Sequence, residues 1–186
     1  MDAETAEPRV LEAARSLFAE RGVQAVGMDA VRTAAGVSLK RIYQLYPSKD
    51  ALVEAVLRRR DAEVREAVAA HGAARSDDPR ERVLAVFDYL AEWFAEPGFR
   101  GCLFINTHGE LGGISAGVTD IARAHKAALR EYFARLTDEL DAPALLADQL
   151  TLLANGAMST AGINGSPLPA AHAKEAARVL LGAAGR

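Results

Sequence analysis

A turn, a short cationic helix and a hard stop fall within nineteen positions at residues 34–52, AAGVSLKRIYQLYPSKDAL. Gly36 supplies the terminator of one helix, Ser38 is a residue type that caps the start of another, and Pro47 lacks the N–H needed to continue it. On a helical wheel Ile42, Leu45 and Tyr46 share one arc of roughly 100°. That arc must face the helices before it. Lys40, Arg41 and Gln44 fall on the opposite side, with Tyr43 on the border. Two helices joined by a tight glycine-containing turn, the second one so divided, match a helix-turn-helix.

The rest of the chain is punctuated in the same way. Val10, Leu11, Ala14, Leu17 and Phe18 form an apolar stripe that predicts a first helix over residues 8–21, with Pro8 in its first turn and Gly22 at its end. Met28, Val31 and Ala35 mark a second helix. Ser48 caps a fourth, with Asp50 in its first turn where the helix dipole favours an anion, and Leu52, Val56, Leu57 and Val64 carry it toward residue 70. The polar run HGAARSDDPRE, residues 71–81, reads as a break. Beyond it the spacing predicts a helix to about residue 95, a short segment around residues 102–110, a long helix over 115–140, and two more over 143–161 and 168–183. No run of alternating β-branched residues interrupts this pattern. The fold class is all-α: a three-helix head over residues 1–50 and a larger helical domain over residues 51–186, connected by the helix at about 48–70.

Charge separates along the same line. The chain carries a net −3, yet residues 1–60 hold ten Lys/Arg against eight Asp/Glu and residues 37–60 hold six against two. Positive charge is therefore focused on the head, as the electrostatic footprint of a nucleic-acid reader would be. The run Arg58, Arg59, Arg60 reads as a solvated face with a minor steering role. Lys and Arg neutralise phosphates or donate to guanine edges, Gln pairs bidentately with adenine, and a tyrosine hydroxyl reaches a phosphate oxygen.

The segment AAGVSLKRIYQLYPSKDALVEAV, with VLEAARSLFAERGVQAV upstream, resembles the DNA-binding portion of the TetR family of bacterial transcriptional regulators. The resemblance covers roughly residues 8–60, and GFRGCLFINTHGEL, ARAHKAALREYF and QLTLLANGAMSTA resemble one branch of that family more loosely. It implies that Ser38, Lys40, Arg41, Tyr43 and Gln44 touch DNA and that Lys49 meets a phosphate. It further implies a ligand pocket in the C-terminal domain. Three positions depart from the family pattern: Gly27 where Ser or Thr caps the second helix, Arg32 where a small buried alanine is usual, and Lys40 where glycine is common. These bear on the operator sequence more than on the mode of binding.

For the C-terminal domain the residues leave alternatives open. Leu145, Leu146, Leu150, Leu153 and Ala157, with Ala173, Ala176, Ala177, Leu180 and Leu181, give the last two helices apolar faces suited to an intersubunit four-helix bundle or to the subunit's own core. Phe87, Leu90, Phe94, Phe104 and Tyr132, with the polar Asn106, His125 and Asn155, are candidate linings of a pocket for a small-molecule effector. Each has a plainer role as core or cap. Cys102, the single cysteine, excludes an internal disulfide framework and fits a reducing, cytoplasmic setting. It is a packed hydrophobe or, with Arg100 nearby, a redox-sensitive thiol.

Catalytic signatures are missing. The histidines at 71, 108, 125 and 172 lack metal-ligand spacing, and neither a phosphate loop nor a nucleophile elbow is present. The expected function is thus non-enzymatic, without cofactor, metal or membrane: a homodimeric regulator, a repressor, that binds a palindromic double-stranded DNA operator and is released by a small molecule. The alternative is a small-molecule carrier or dimerising adaptor with little DNA binding.

Overall fold

A computed structural model describes residues 3–184 of the chain, and among these every regular element is an α-helix. The order is α1 (Ala3–Arg21), α2 (Met28–Ala35), α3 (Leu39–Leu45), α4 (Lys49–Arg75), α5 (Pro79–Phe94), α6 (Leu103–Leu111), α7 (Ala116–Asp138), α8 (Leu145–Asn164) and α9 (Leu168–Ala184).

The helices gather into two compact units. One contains the described residues up to Asp61 together with Leu103–Arg123; the other contains Ala62–Cys102 and the described residues from Ala124 onward. α4 and α7 each contribute to both. α6, far away in sequence, therefore belongs with the N-terminal helices.

In the first unit Val10, Ala14 and Phe18 of α1, Val31 and Ala35 of α2, Ile42 of α3, and Leu52, Val53 and Val56 of α4 are buried. Local chemistry sets the boundaries. Ser38 Oγ accepts from Arg41 N at 3.3 Å, which also donates to Ser38 O at 2.9 Å, and Ser48 Oγ accepts from Ala51 N at 3.1 Å, satisfying a donor that a helix start leaves unpaired. Gly36 adopts φ 63° and its N–H donates to Arg32 O, closing α2. Gly27 opens α2 in extended conformation without a side-chain cap, which glycine tolerates at little cost. Arg32 turns outward and pairs with Asp29 at 3.2 Å, so the departure from a small residue at that site leaves the buried face intact.

In the second unit α5, α8 and α9 pack on one another. Phe87 of α5 stacks on Phe133 of α7 with ring centroids 6.2 Å apart, and Leu90, Leu150, Ala154, Ala170 and Ala177 are buried. Small alanines let α8 and α9 approach closely. Lys174 bridges to Asp88 at 2.6 Å, joining α9 to α5.

Two expectations change. α1 starts at Ala3, so Pro8 lies inside the helix and not in its first turn. The break expected over 71–81 narrows to residues 76–78, since α4 continues through Arg75. The reason is tertiary: the His71 ring meets Tyr89 of α5 edge-on at 5.9 Å, and Gly72 leaves room for the Tyr132 hydroxyl, with which a Cβ placed there would overlap. Packing holds a polar, glycine-containing stretch helical where local propensity would end it. The true break is short and self-capped, with Ser76 Oγ accepting from Asp78 N and Asp78 Oδ1 from Arg80 N.

Candidate nucleic-acid interface

α3 is held by its buried face. Ile42 is fully inaccessible, and Tyr46, extended at the C-cap, is buried with its hydroxyl donating to Glu7 Oε1 at 2.9 Å. Burial, and then the neighbouring Glu7 carboxylate, push the Tyr46 phenol above its usual pKa, because both penalise the phenolate. Tyr46 therefore remains a neutral donor that ties the end of α3 to α1.

The opposite face carries the residues singled out from the sequence. Ser38, Lys40, Tyr43 and Gln44 are exposed, and Arg41 and Lys49 are half-exposed. Tyr43, at 46% exposure, is the large side chain that this face presents to solvent. Arg41 Nη1 donates to Gln44 Oε1 at 3.1 Å, so the guanidinium and the amide present a joined polar edge. Arg41 Nε is buried and has no hydrogen-bond partner. Among the described residues Lys40, Tyr43 and Lys49 have no side-chain hydrogen bond or ion pair. A short helix with uncommitted lysine and tyrosine side chains and a paired Arg41–Gln44 edge on one side, and an apolar anchor on the other, can lay that side against a polyanion.

The candidate effector-site residues divide between the units. Phe87, Leu90 and Phe94 on α5, His125 and Tyr132 on α7, and Asn155 on α8 belong to the second unit; Phe104 and Asn106 on α6 belong to the first. Phe87, Leu90, Phe94, His125 and Tyr132 are buried, as is Phe104, whereas Asn106 is exposed. Tyr132 meets Phe133 at 6.4 Å, and its buried hydroxyl lacks a hydrogen-bond partner. Asn155 Oδ1 accepts from Lys126 Nζ at 2.8 Å, and the same ammonium reaches Cys102 Sγ at 3.3 Å. Cys102 is buried, with the Lys126 ammonium beside it.

Two further features emerge, the first overlooked in the sequence and the second only partly foreseen there. One is Glu110, whose carboxylate accepts from the backbone of Val23 and Gln24. The other is an apolar groove along α8 and α9 lined by Leu152, Leu153, Ala157, Leu168, Ala173 and Leu180, together with the polar Gln149 and His172. Leu153, Ala157, Ala173 and Leu180 belong to the apolar faces read from the sequence, whereas Leu152 and Leu168 do not. Leu152 and Leu168 there are 72% and 60% exposed. The apolar faces of α8 and α9 are legible in the sequence; nothing local marks Glu110.

Residues 10–56 match the model of the bacterial regulatory proteins of the tetR family. A solved TetR-type transcriptional regulator from Streptomyces avermitilis is 35% identical, with 96% of this chain and 97% of that one covered and a TM-score of 0.82. The chain belongs to the TetR family. A TetR-family transcriptional regulator from Streptomyces coelicolor superposes with a TM-score of 0.92 at 25% identity over 98% of this chain and 97% of that one. An HTH-type transcriptional regulator from Mycobacterium tuberculosis is 28% identical over 125 residues, covering 67% of this chain and 61% of that relative. The match thus spans about three fifths of that relative's length. Within this TetR-family chain no helix is long and apolar enough to cross a membrane among the described residues. Nor do the described residues hold a cluster of three or more His, Cys, Asp or Glu fit for a metal ion.

Proposed function

We propose that this TetR-family chain is a cytoplasmic, homodimeric, non-enzymatic transcriptional repressor that binds a palindromic double-stranded DNA operator and is released by a small molecule. The observation that carries the reading is α3: Ile42 is inaccessible on one side, while Lys40, Tyr43 and Gln44 stand exposed on the other. In this reading Ser38, Lys40, Arg41, Tyr43 and Gln44 approach the major groove, and Lys49 at the start of α4 meets a phosphate. The head would comprise residues 1–50, and residues 51–186 would bind the effector and dimerise. Regulators of the same family from Streptomyces coelicolor and Streptomyces avermitilis support it by their likeness.

One α3 touches few base pairs, so specific binding requires two copies at half-sites about one helical turn apart. The exposed apolar groove of α8 and α9 supports a dimer through the last two helices. Leu145, Leu152, Ile163, Leu168 and Val179 all stand well exposed on these two helices, and a second copy would remove such leucines from water at roughly 25 cal/mol per Å². Release follows if the effector binds preferentially to the conformation whose reading heads are misplaced. It shifts the equilibrium only by that difference in affinity. The partnerless Tyr132 hydroxyl and the Lys126–Asn155 pair support an effector with polar acceptor groups inside an aromatic surround.

Selection of bound duplexes from random DNA tests the proposal. Enriched sequences should be palindromic, with half-site centres about 10 base pairs apart or a multiple of that. Recovery of no enriched sequence, or of single unpaired half-sites, would overturn it.

A further inference from the structure

We infer that Glu110 is a positioning residue for DNA recognition, clamping the turn between α1 and α2 to the end of α6; this rests on the DNA-binding reading above. Gly22 closes α1 with φ 81°, its N–H donating to Phe18 O at 3.0 Å. The next two backbone N–H groups have left the helix. Both are accepted by one carboxylate: Val23 N reaches Glu110 Oε1 at 3.0 Å and Gln24 N reaches Oε2 at 2.8 Å. The Gln24 side-chain amide then donates back to the main-chain oxygen of Glu110 at 2.8 Å. Glu110 lies in the last turn of α6, where helix carbonyls lack intrahelical partners. Each end therefore satisfies orphan groups of the other, across 86 residues of sequence.

Gly22 makes the clamp possible twice over. Its left-handed backbone suits glycine, and a Cβ there would sit 2.9 Å from Glu110 Oε1. Elsewhere in the head, helix starts are capped by the chain's own neighbouring serines, Ser38 and Ser48. At this turn the acceptor comes from α6. Thr107 and Leu111, on the same side of α6, are buried, as are Val23 and Val26 of the turn. The turn leads directly into α2, and α2 packs against α3. Charge-assisted, bidentate bonding fixes orientation as well as proximity, so the Glu110 carboxylate sets where α2 and α3 sit relative to α6.

A purely stabilising contact and a positioning contact differ in what they do to half-site spacing. Affinity is measured for the selected operator and for a version with one base pair inserted between its half-sites. Glu110→Ala should weaken operator binding about tenfold and shrink the preference for the selected spacing. Exchange of the Val23 and Gln24 amide protons should quicken in parallel. Gln24→Ala removes only the returning bond of an exposed side chain; it should shift both readouts less, in the same direction, and it decides the matter if Glu110→Ala does not fold. Equal loss at both spacings, or variants that match the parent, would overturn the inference while leaving the DNA reading intact. A parent chain that binds no duplex would bring down the DNA reading, and this inference with it.

Discussion

α3 and the α8–α9 pair both turn a face to solvent, and the two faces are opposite in chemistry. α3 exposes Lys40, Tyr43 and Gln44 over a buried Ile42. α8 and α9 expose Leu152, Ile163, Leu168 and Val179 above a core of small alanines. A charged face is stable in water and can await a partner of opposite charge. Exposed leucines along a groove gain by being covered. The contrast suits the proposed partners of the two ends of the chain, a polyanion for the first and a second copy for the last. It also predicts different sensitivities, one to salt and the other to apolar truncation.

The largest expected effect is that of salt. A dimer making about 6 to 10 phosphate contacts should lose on the order of 10³ to 10⁵ in operator affinity between 50 and 200 mM salt, while its dimerisation changes little. Titrations showing a flat response would remove the phosphate role of α3 and Lys49. Next comes the apolar face. Leu152→Glu places a charge in the groove at a residue 72% exposed in the subunit, so the subunit should fold normally. Sedimentation should then find monomers, and operator affinity should fall by about 10² to 10⁴ as the second half-site no longer binds intramolecularly. A Leu152→Glu variant that remains dimeric would move the interface elsewhere.

Smaller effects sharpen the contrast from the α3 side. Lys40→Ala and Lys49→Ala should each weaken binding to all duplexes alike and lower the salt slope by about one for every phosphate no longer neutralised, with the dimer intact. Unchanged slopes for both would leave these lysines as bystanders. Gln44→Ala should alter which base pair is preferred more than overall affinity, read from a repeated selection. Least of all, Ser38→Ala should cost about 1 kcal/mol of thermal or denaturant stability by removing the Oγ acceptor from the Arg41 N–H, which keeps only Ser38 O. No measurable loss would mean that the bond to Ser38 O suffices there.

Helix α3 is legible from residues 34–52 because its information is local. Glycine at a left-handed position, serine at a cap and proline after the last turn act within three or four residues of themselves, and one apolar arc defines both faces. The all-α class follows from the same kind of punctuation. The stretch from His71 to Arg75 reads as a break in sequence because what keeps it helical, the Tyr89 ring and the Tyr132 hydroxyl, lies on other helices. The candidate effector residues look like one set in sequence, but α6 carries Phe104 and Asn106 into the unit of the N-terminal helices.

By itself, then, the order of residues determined where helices start and stop, which face of α3 is apolar, and that no strand chemistry competes. Only the tertiary structure decided that Glu110 would meet Val23 and Gln24 and that Lys126 would stand beside Cys102. Caps and periodicities are short-range and written in neighbouring residues. Pairings across 24 to 87 positions depend on how whole helices pack, which neither partner's own surroundings encode.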